Sequence, residues 1–463
     1  MLDLSVERGT LVVPGVGLVR AGVGIADGRI AVVCSEELLP EARRRIDASG
    51  LYVLPGVFDP HVHLGPPQTY AEQCYSETRS ALVGGVTTLG VHLRSGESYL
   101  DVFPEFVRTF EARASVDALF HLQISSREQQ QEIPRYASEL GVLSFKAYMW
   151  TLPGNLAPVD DDLMLAIMRT VGTLGPHAVI AVHAENRELV EAGEARVRAE
   201  HPHGTLADWT ESHPDLSEEE AVVRMSVFAA HTSARVYLVH LGTGASVRRL
   251  RAIRRTQRNV VAETTSTYLS ISKYDPVGLL AKMVPPVRAP EDLDALWEGI
   301  ADGVIDTIGT DNVTRTLADK QIERGLAQAG TGYPALATHL PVVLTEGVCK
   351  RGLPLDVVVD KVTRSPARVF GIYPRKGTIA VGSDADLAIV DLDAERPADP
   401  ARLYSLSDFS LYAQKPLRGW PVYTVKGGVV AYEQGVVTAE PGSGRRLRPA
   451  GADDCWGPPI GVG

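Results

Sequence analysis

The chain has 463 residues, of which 44% are hydrophobic and 22% charged, a composition that excludes disordered, collagen-like and coiled-coil polypeptides. Its 46 Lys and Arg against 57 Asp and Glu give a net charge of −11 without a basic block, which argues against nucleic acid as a partner. The 4 cysteines form no C-x-x-C pair, so neither a disulfide framework nor a thiolate metal site is predicted.

The N-terminus lacks a basic stretch followed by an apolar segment, and no run reaches the roughly 18 apolar residues of a membrane span. Scattered cysteines fit a reducing compartment. We therefore predict a cytoplasmic protein that is neither exported nor embedded in a membrane.

Short β-like runs separated by Gly and Asp turn signals occur near both ends of the chain. They lie at 10–13, 23–25, 30–33, 385–390 and 422–432. We predict that residues 1–53 and 370–440 together form one small β-sandwich domain. The Gly-, Pro- and Arg-rich segment 441–463 is predicted to be a C-terminal tail that is either disordered or a subunit contact.

Between these ends, apolar runs alternate with long amphipathic stretches. The eight runs lie at 53–58, 86–93, 118–124, 142–149, 178–183, 236–241, 259–263 and 304–309. Strands that alternate with helical segments form parallel sheets. Eight such units predict an α/β fold, a (β/α)8 TIM-type barrel over residues 54–369.

The first predicted barrel strand leads into the pair His61 and His63. Residues two apart on a strand point to the same side, so both imidazoles face one point. Such a pair also occurs by chance in a surface turn, but other predicted strands end in groups able to bind a metal as well. These groups are Lys146, His183, His240 and Asp311. Because the C-terminal ends of barrel strands converge on one mouth, we expect these side chains to meet there.

Lys146 is the unusual member of this set. An ammonium group is positively charged and can only donate hydrogen bonds, so an ordinary lysine is a poor neighbour for a cation. If Lys146 belongs to the site, it must be chemically altered or deprotonated.

Together these motifs resemble the amidohydrolase superfamily, and within it the dihydropyrimidinase/hydantoinase branch, near allantoinase and dihydroorotase. The resemblance runs over nearly the whole chain. Its marks are LPGVFDPHVHL at 54–64, GGVTT at 84–88, SFK at 144–146, VHAEN at 182–186, VHL at 239–241, PPVR at 285–288, GTD at 309–311, SPAR at 365–368 and YPRKGTIAVGSDADL at 373–387.

The resemblance implies a site with two zinc ions. His61, His63 and Asp311 would bind one ion, and His183 and His240 the other. Lys146, carboxylated by CO2, would bridge them, which answers the charge objection because a carbamate is an anionic oxygen ligand.

The implied activity is that of a dinuclear zinc amidohydrolase, which opens the amide bond of a cyclic ureide or imide through a metal-bridging hydroxide. Asp311 would take the proton of the water and pass it to the leaving nitrogen. The resemblance further implies a homotetramer or homodimer.

Several pocket positions depart from the family. Thr151 stands where hydantoinases carry a tyrosine that donates to the oxyanion, and losing such a donor costs about 2.7 to 4 kcal/mol unless another group replaces it. Either Thr151 or another loop supplies the donor, or the substrate differs. Glu263 begins ETTSTY where Glu-Thr-Cys-Pro is usual, and Asn312 follows Asp311 where His is usual. Gly65 replaces the arginine of dihydroorotases, so dihydroorotate is not expected.

Six residues are predicted to contact substrate, namely Arg94, Tyr148, Trp150, Thr151, Val284 and Thr338. The loops after the early strands also contain Tyr70, Tyr99 and Leu152. Such an apolar lining predicts a ring with an uncharged or aromatic substituent, and Arg94 is the visible anchor for an acidic one. The remaining histidines, which include His92, His121 and His213, are interpreted as structural or surface residues.

Two rival functions remain open at this point. One is an allantoinase-like enzyme, or a linear amide or carbamate hydrolase, with the same metal site. The other is a non-catalytic scaffold like the collapsin-response relatives of hydantoinases. The complete set of predicted metal ligands argues against the scaffold.

Overall fold

A computed structural model describes residues 1–151 and 156–450. Its central feature is a sheet of nine parallel strand segments that curls and closes on itself. We number its strands first to eighth in chain order. They are Val57–His63, Val86–Leu93, Asp117–Gln123, Ser144–Tyr148, Val179–His183, Arg235–Leu238, Val260–Thr265, and the interrupted eighth strand Thr307–Gly309 with Asn312–Val313. The predicted (β/α)8 barrel is confirmed.

Barrel closure depends on the eighth strand. Its first part pairs with the seventh strand, and its second part pairs with the first strand, Asn312 opposite Val62. Every residue of the second and third strands is buried, as parallel strands covered on both faces require.

Helices cover the outside of the barrel. Many begin at a side-chain cap; for example, the Thr69 hydroxyl accepts from the Glu72 amide at 3.2 Å in a capping box. The α-helices are Tyr70–Val83, Tyr99–Arg113, Arg127–Ser138, Asp161–Gly172, Arg187–Glu200, Leu206–Glu211, Asp215–Thr232, Gly244–Ile253, Pro290–Ala301, Leu317–Lys320, His339–Val343, Leu355–Val362 and Arg364–Val369. A π-helix spans Leu344–Lys350, and 3-10 turns span Glu36–Leu38, Gly278–Ala281, Ile322–Arg324, Leu336–Thr338 and Pro400–Arg402. No helix in the described ranges has both the length and the apolar character needed to cross a bilayer.

The two chain ends form a β-sandwich, as predicted. Its larger sheet has the order Val436–Val437, Val429–Glu433, Trp420–Lys426, Leu387–Asp391, Tyr52–Pro55, Thr10–Val13 and Gly17–Arg20. Its smaller sheet has the order Arg29–Cys34, Gly22–Ala26, Leu2–Glu7 and Ala42–Asp47. Apolar side chains such as Leu4, Ile25 and Ile389 pack between the two sheets. A separate two-stranded ribbon pairs Arg396–Pro397 with Pro416–Leu417.

The prediction of one strand at 53–58 was wrong, because two strands of different sheets share this run. Tyr52–Pro55 belongs to the sandwich, and the barrel strand begins at Val57. Between them the Gly56 amide donates to the Asp386 carbonyl at 2.7 Å, and a Cβ at Gly56 would clash with the Thr87 hydroxyl. Only glycine fits this close approach of two sheets.

The described part of the predicted tail packs on the barrel instead of standing apart from it. Ala118, in the third strand, donates its amide to the Arg445 carbonyl at 3.0 Å and accepts from the Leu447 amide at 2.7 Å. Leu447 is buried. Up to residue 450 this segment is therefore part of the fold, and residues 451–463 lie outside the described ranges.

A buried network of charges joins the barrel to the sandwich. The Lys376 ammonium lies 2.7 Å from an Asp117 carboxylate oxygen and 2.6 Å from Asp386. Lys426 donates to the other oxygen of Asp117 at 2.7 Å. Because the charges are paired, they can be buried together.

We expect Lys376→Ala to lower the free energy of unfolding by about 3 to 5 kcal/mol, because it leaves buried carboxylates without their cation. Lys350→Ala is the matched control, since Lys350 is 60% exposed and pairs with Glu346 on the helix surface, and its loss should stay below about 1 kcal/mol. Urea unfolding followed by circular dichroism measures both. Equal losses in the two variants would contradict the role of the network.

Candidate active site

The C-terminal ends of the barrel strands surround a cavity of about 670 Å³. The predicted metal ligands meet at its floor. His63, Lys146, His183, His240 and Asp311 line the cavity, and His61 lies directly behind His63 with 3.3 Å between their Nε2 atoms. The convergence expected from the strand ends is therefore present, although the six residues come from five widely separated segments of the sequence.

His61, His63 and Asp311 form a group that can hold a metal ion. Their ligand atoms all lie within 4.8 Å of one another. One Asp311 carboxylate oxygen is 3.2 Å from His61 Nε2 and 3.0 Å from His63 Nε2. Two imidazole nitrogens and a carboxylate are donors that suit zinc and similar divalent ions.

The second pair of histidines lies on the other side of the cavity floor. His183 Nδ1 is 3.0 Å from His240 Nε2. The opposite nitrogen of His183 is 2.7 Å from a Glu185 carboxylate oxygen, and Glu185 also contacts His213 Nδ1 at 2.8 Å. This chain of contacts fixes the orientation of the His183 ring and directs Nδ1 toward His240.

Lys146 is buried between these groups. Its Nζ has no hydrogen-bond partner among the described residues and lies 4.8 Å from the centroid of the Tyr148 ring. Burial lowers the pKa of Lys146 to about 7. A buried, unpaired amine is unfavourable as an ammonium ion, so the structure fits the expectation that this lysine is not an ordinary cation.

Glu263 orients the first histidine from behind. Its carboxylate accepts from His61 Nδ1 at 2.7 Å, from the Tyr237 hydroxyl at 2.6 Å and from the His240 amide at 3.1 Å. Burial raises the pKa of Glu263 to about 8, while the hydrogen bonds from Tyr237 and His240 act in the opposite direction. With Nδ1 engaged, His61 presents Nε2 to the cavity side.

Several residues that the sequence interpretation set aside belong to this site. The His92 ring lies 4.4 Å from the His61 ring and lines the cavity, and His92 Nδ1 has no partner among the described residues. His92 stands near the end of the second strand, so the positional argument used for the other ligands applies to it as well. Glu185 follows His183 by two residues, the spacing that brought His61 and His63 together. His213 comes from the short connection between the helices Leu206–Glu211 and Asp215–Thr232, and no local pattern indicated its contact with Glu185.

Five of the six predicted substrate contacts line the cavity, namely Arg94, Tyr148, Trp150, Thr151 and Val284. Thr338 is the exception. Its hydroxyl donates to the Ala335 carbonyl at 3.1 Å inside a buried turn. Thr338 does not reach the cavity because this local hydrogen bond keeps it within its own segment.

Three further loop residues were predicted for the apolar lining, and of these Tyr70 lines the cavity. Tyr99 lies behind the wall, with its hydroxyl 3.0 Å from the carbonyl oxygens of Leu93 and Gln123. Leu152 lies outside the described residues.

The Tyr148 and Thr151 side chains differ in the hydrogen bonding of their hydroxyl groups. Thr151 donates to the Leu156 carbonyl at 3.1 Å. The Tyr148 hydroxyl makes no hydrogen bond to any residue the structure describes, and its ring stacks on His183 at 5.5 Å. Burial raises the pKa of Tyr148 above its ordinary value, so the phenol keeps its proton at neutral pH.

Comparisons with known proteins match almost the whole chain to one enzyme family. Residues 52–431 match the model of the Amidohydrolase family. An L-hydantoinase from Paenarthrobacter aurescens is 33% identical over 96% of this chain and 98% of its own, and an allantoinase from Deinococcus radiodurans is 33% identical over 97% and 99%. The crystal structure of a dihydropyrimidinase from Brevibacillus agri superimposes with a TM-score of 0.90 at 26% identity, covering 97% of this chain and 99% of that one.

Glu263→Gln is expected to weaken metal binding by about 10- to 100-fold, because an amide is a poorer partner for the His61 ring than a carboxylate. Competition against a chelator, with bound metal measured by elemental analysis, gives this affinity. The control is Glu139→Gln, which changes an exposed carboxylate paired with Arg135. An unchanged affinity in Glu263→Gln would show that this carboxylate does not support the metal ligands.

Proposed function

Because the chain belongs to the amidohydrolase family, we propose that it is a metal-dependent hydrolase that opens the amide bond of a cyclic ureide or imide of the hydantoin or dihydropyrimidine type. The observation that carries this proposal is the meeting of four imidazoles and the Asp311 carboxylate around the unpaired Lys146 amine at the floor of one cavity. A non-catalytic scaffold has no need of such a set.

We further propose two Zn²⁺ ions and a CO2-derived carbamate on Lys146. The donor set supports this part, since imidazole and carboxylate groups suit zinc. His61, His63 and Asp311 would hold one ion, His183 and His240 the other, and modified Lys146 would reach both. When bound, the ions would lower the pKa of a water molecule and polarise the carbonyl of the substrate.

The side chains of this protein have two tasks in the proposed reaction. Asp311 is the proton carrier, because its carboxylate lies at the cavity floor beside His61 and His63 and a proton must move from water to the leaving nitrogen. Tyr148 is the donor to the developing oxyanion. Its protonated hydroxyl has no partner among the described residues, whereas the Thr151 hydroxyl is already engaged with Leu156.

An allantoinase-like activity is the second candidate, because the relative from Deinococcus radiodurans is as similar as the L-hydantoinase. Two further parts of the proposal are a homotetramer or homodimer, which the family resemblance supports, and a cytoplasmic location, which the scattered cysteines support. Light scattering at micromolar concentration measures the assembly.

The proposal is tested by incubating zinc-loaded protein with dihydrouracil, substituted hydantoins, succinimide and allantoin, and with linear amides and carbamates. We expect hydrolysis of at least one cyclic ureide or imide, loss of activity on chelation and two divalent metals per chain by elemental analysis. Cleavage of the linear compounds alone would reject the cyclic substrate, and full activity with one metal would reject the dinuclear site.

Tyr148→Phe is expected to lower kcat by about 100- to 1000-fold, because it removes the proposed oxyanion donor. Thr151→Val is the matched comparison, since it also removes one hydroxyl from the cavity wall but one that donates to Leu156. Steady-state kinetics on the best substrate of the panel compares the two. If Thr151→Val causes the larger loss, Thr151 supplies the donor instead.

A further inference from the structure

A second cavity, of about 340 Å³, lies beside the active-site cavity. Arg315 and Thr331 line both cavities, so the two spaces meet at this pair of residues. A neighbouring segment of chain is divided in the same way, since Met283 lines the active site and the preceding Lys282 lines the second cavity. The wall between the two cavities is therefore one layer of residues thick.

Two side-chain hydrogen bonds belong to this wall. Arg315 Nε donates to the Thr331 carbonyl at 3.0 Å. Gln68, which lines the active site, donates to Asp319, which lines the second cavity, at 3.1 Å. A single hydrogen bond of a half-buried side chain contributes little net free energy, and side chains rotate much faster than loops rearrange. The wall can therefore open through rotation of side chains while the backbone stays in place.

An Arg315 side chain that leaves Thr331 has another partner nearby. Burial lowers the pKa of Arg315, the Asp319 carboxylate raises it, and the charge of Arg94 lowers it. Asp319 thus attracts the Arg315 guanidinium from the side of the second cavity. A rotated Arg315 exchanges a hydrogen bond to a carbonyl for the attraction of this carboxylate, which keeps the displaced side chain from being left without a partner.

The inner surface of the second cavity is apolar. Val197, Trp209, Leu326 and Ala329 line it and are buried. The Trp209 ring is held in place because its Nε1 donates to the Met283 carbonyl at 2.7 Å. Buried apolar side chains around a cavity favour an uncharged group, and a tryptophan ring favours an aromatic one.

Two cations of this cavity are already engaged within the protein. The Lys282 ammonium donates to the carbonyls of Leu326 and Ala329, both at 2.7 Å. Arg198 lies 4.0 Å from the Glu194 carboxylate. Because both cations have partners, the lining argues against an anion as the group that the second cavity binds.

We propose that the second cavity binds the far end of a long, uncharged substituent on the substrate ring, an aryl or branched alkyl group, and that Arg315 controls access to it. The ring itself would lie on the floor of the active-site cavity, which at about 670 Å³ has room for a ring with a short substituent. This inference rests on the proposed function. It extends the uncharged substituent expected from the sequence by giving it a length and a binding site.

The experiment compares two hydantoins that differ in the length of the substituent, 5-benzylhydantoin and 5-(4-phenylbutyl)hydantoin. The ratio of their kcat/KM values, long over short, is measured for the wild-type holoenzyme and its variants. Ala327 is exposed and lines the second cavity, so a tryptophan at this position should fill the space. We expect Ala327→Trp to lower the ratio by about 10-fold or more, through a rise in KM for the long compound.

Arg315→Ala should act in the opposite direction. We expect it to raise the ratio by about 2- to 10-fold, because no hydrogen bond to Thr331 has to break before the long substituent enters. The double variant distinguishes a passage from simple enlargement of the active site. If the long substituent enters the second cavity, Ala327→Trp removes the gain that Arg315→Ala produces.

Ala199→Trp serves as the matched control. Ala199 is also exposed, lies on the helix Arg187–Glu200 that supplies Val197 to the second cavity, and lines neither cavity. Its long-over-short ratio should equal that of wild type. Using a ratio removes differences in folded fraction between variants.

The outcomes that count against the inference differ from those that count against the proposed function. An unchanged ratio in Ala327→Trp overturns the inference and leaves the proposed function standing. Hydrolysis of 5-benzylhydantoin without hydrolysis of the longer compound, or activity limited to rings without a substituent, has the same meaning. Failure to hydrolyse either hydantoin, dihydrouracil, succinimide or allantoin rejects the proposed function itself.

Discussion

The buried carboxylate of Glu263 ties together four of the eight barrel strands. It stands on the seventh strand, binds His61 of the first strand and Tyr237 of the sixth, and reaches the eighth through the Tyr237 hydroxyl, which lies 2.6 Å from Thr307. A carboxylate without donors is very unfavourable in a protein interior, so these strands must adopt the register that supplies them. The orientation of His61, a predicted metal ligand, and the closure of the barrel therefore depend on the same contacts.

Backbone strain accompanies two of the predicted metal ligands that follow the strand ends. Asp311 and His240 adopt φ angles of 53° and 42°, in the left-handed region that non-glycine residues rarely occupy and that costs about 1 to 3 kcal/mol each. Buried contacts hold both conformations. The neighbouring Thr310 donates its amide and hydroxyl to Asp59 at 3.0 and 2.6 Å, which pins the break in the eighth strand. Because the strand is interrupted here, the Asp311 carboxylate faces the cavity. In a continuous strand this residue would have paired with a neighbouring strand.

Much of this arrangement could be predicted from the sequence because it follows from periodicity. Apolar runs between amphipathic segments indicated the barrel, and the rule that parallel strands end at one mouth brought His183 and His240 together. Contacts between distant segments could not be predicted in this way, as with His213 behind Glu185. The run at 53–58 was wrongly predicted as one strand because its hydrophobic residues are continuous. In the structure, Gly56 separates strands of two different sheets within it.

The strand Tyr52–Pro55 has a consequence for how this chain acquires its structure. One of its neighbours, Thr10–Val13, is close in sequence, but the other, Leu387–Asp391, is synthesised more than 300 residues later. Until then one edge of an apolar strand has no partner, and long-range pairing of this kind is slow. During translation the barrel segments must emerge while the sandwich is half complete, so this exposed edge is where we expect a nascent chain to need protection from aggregation.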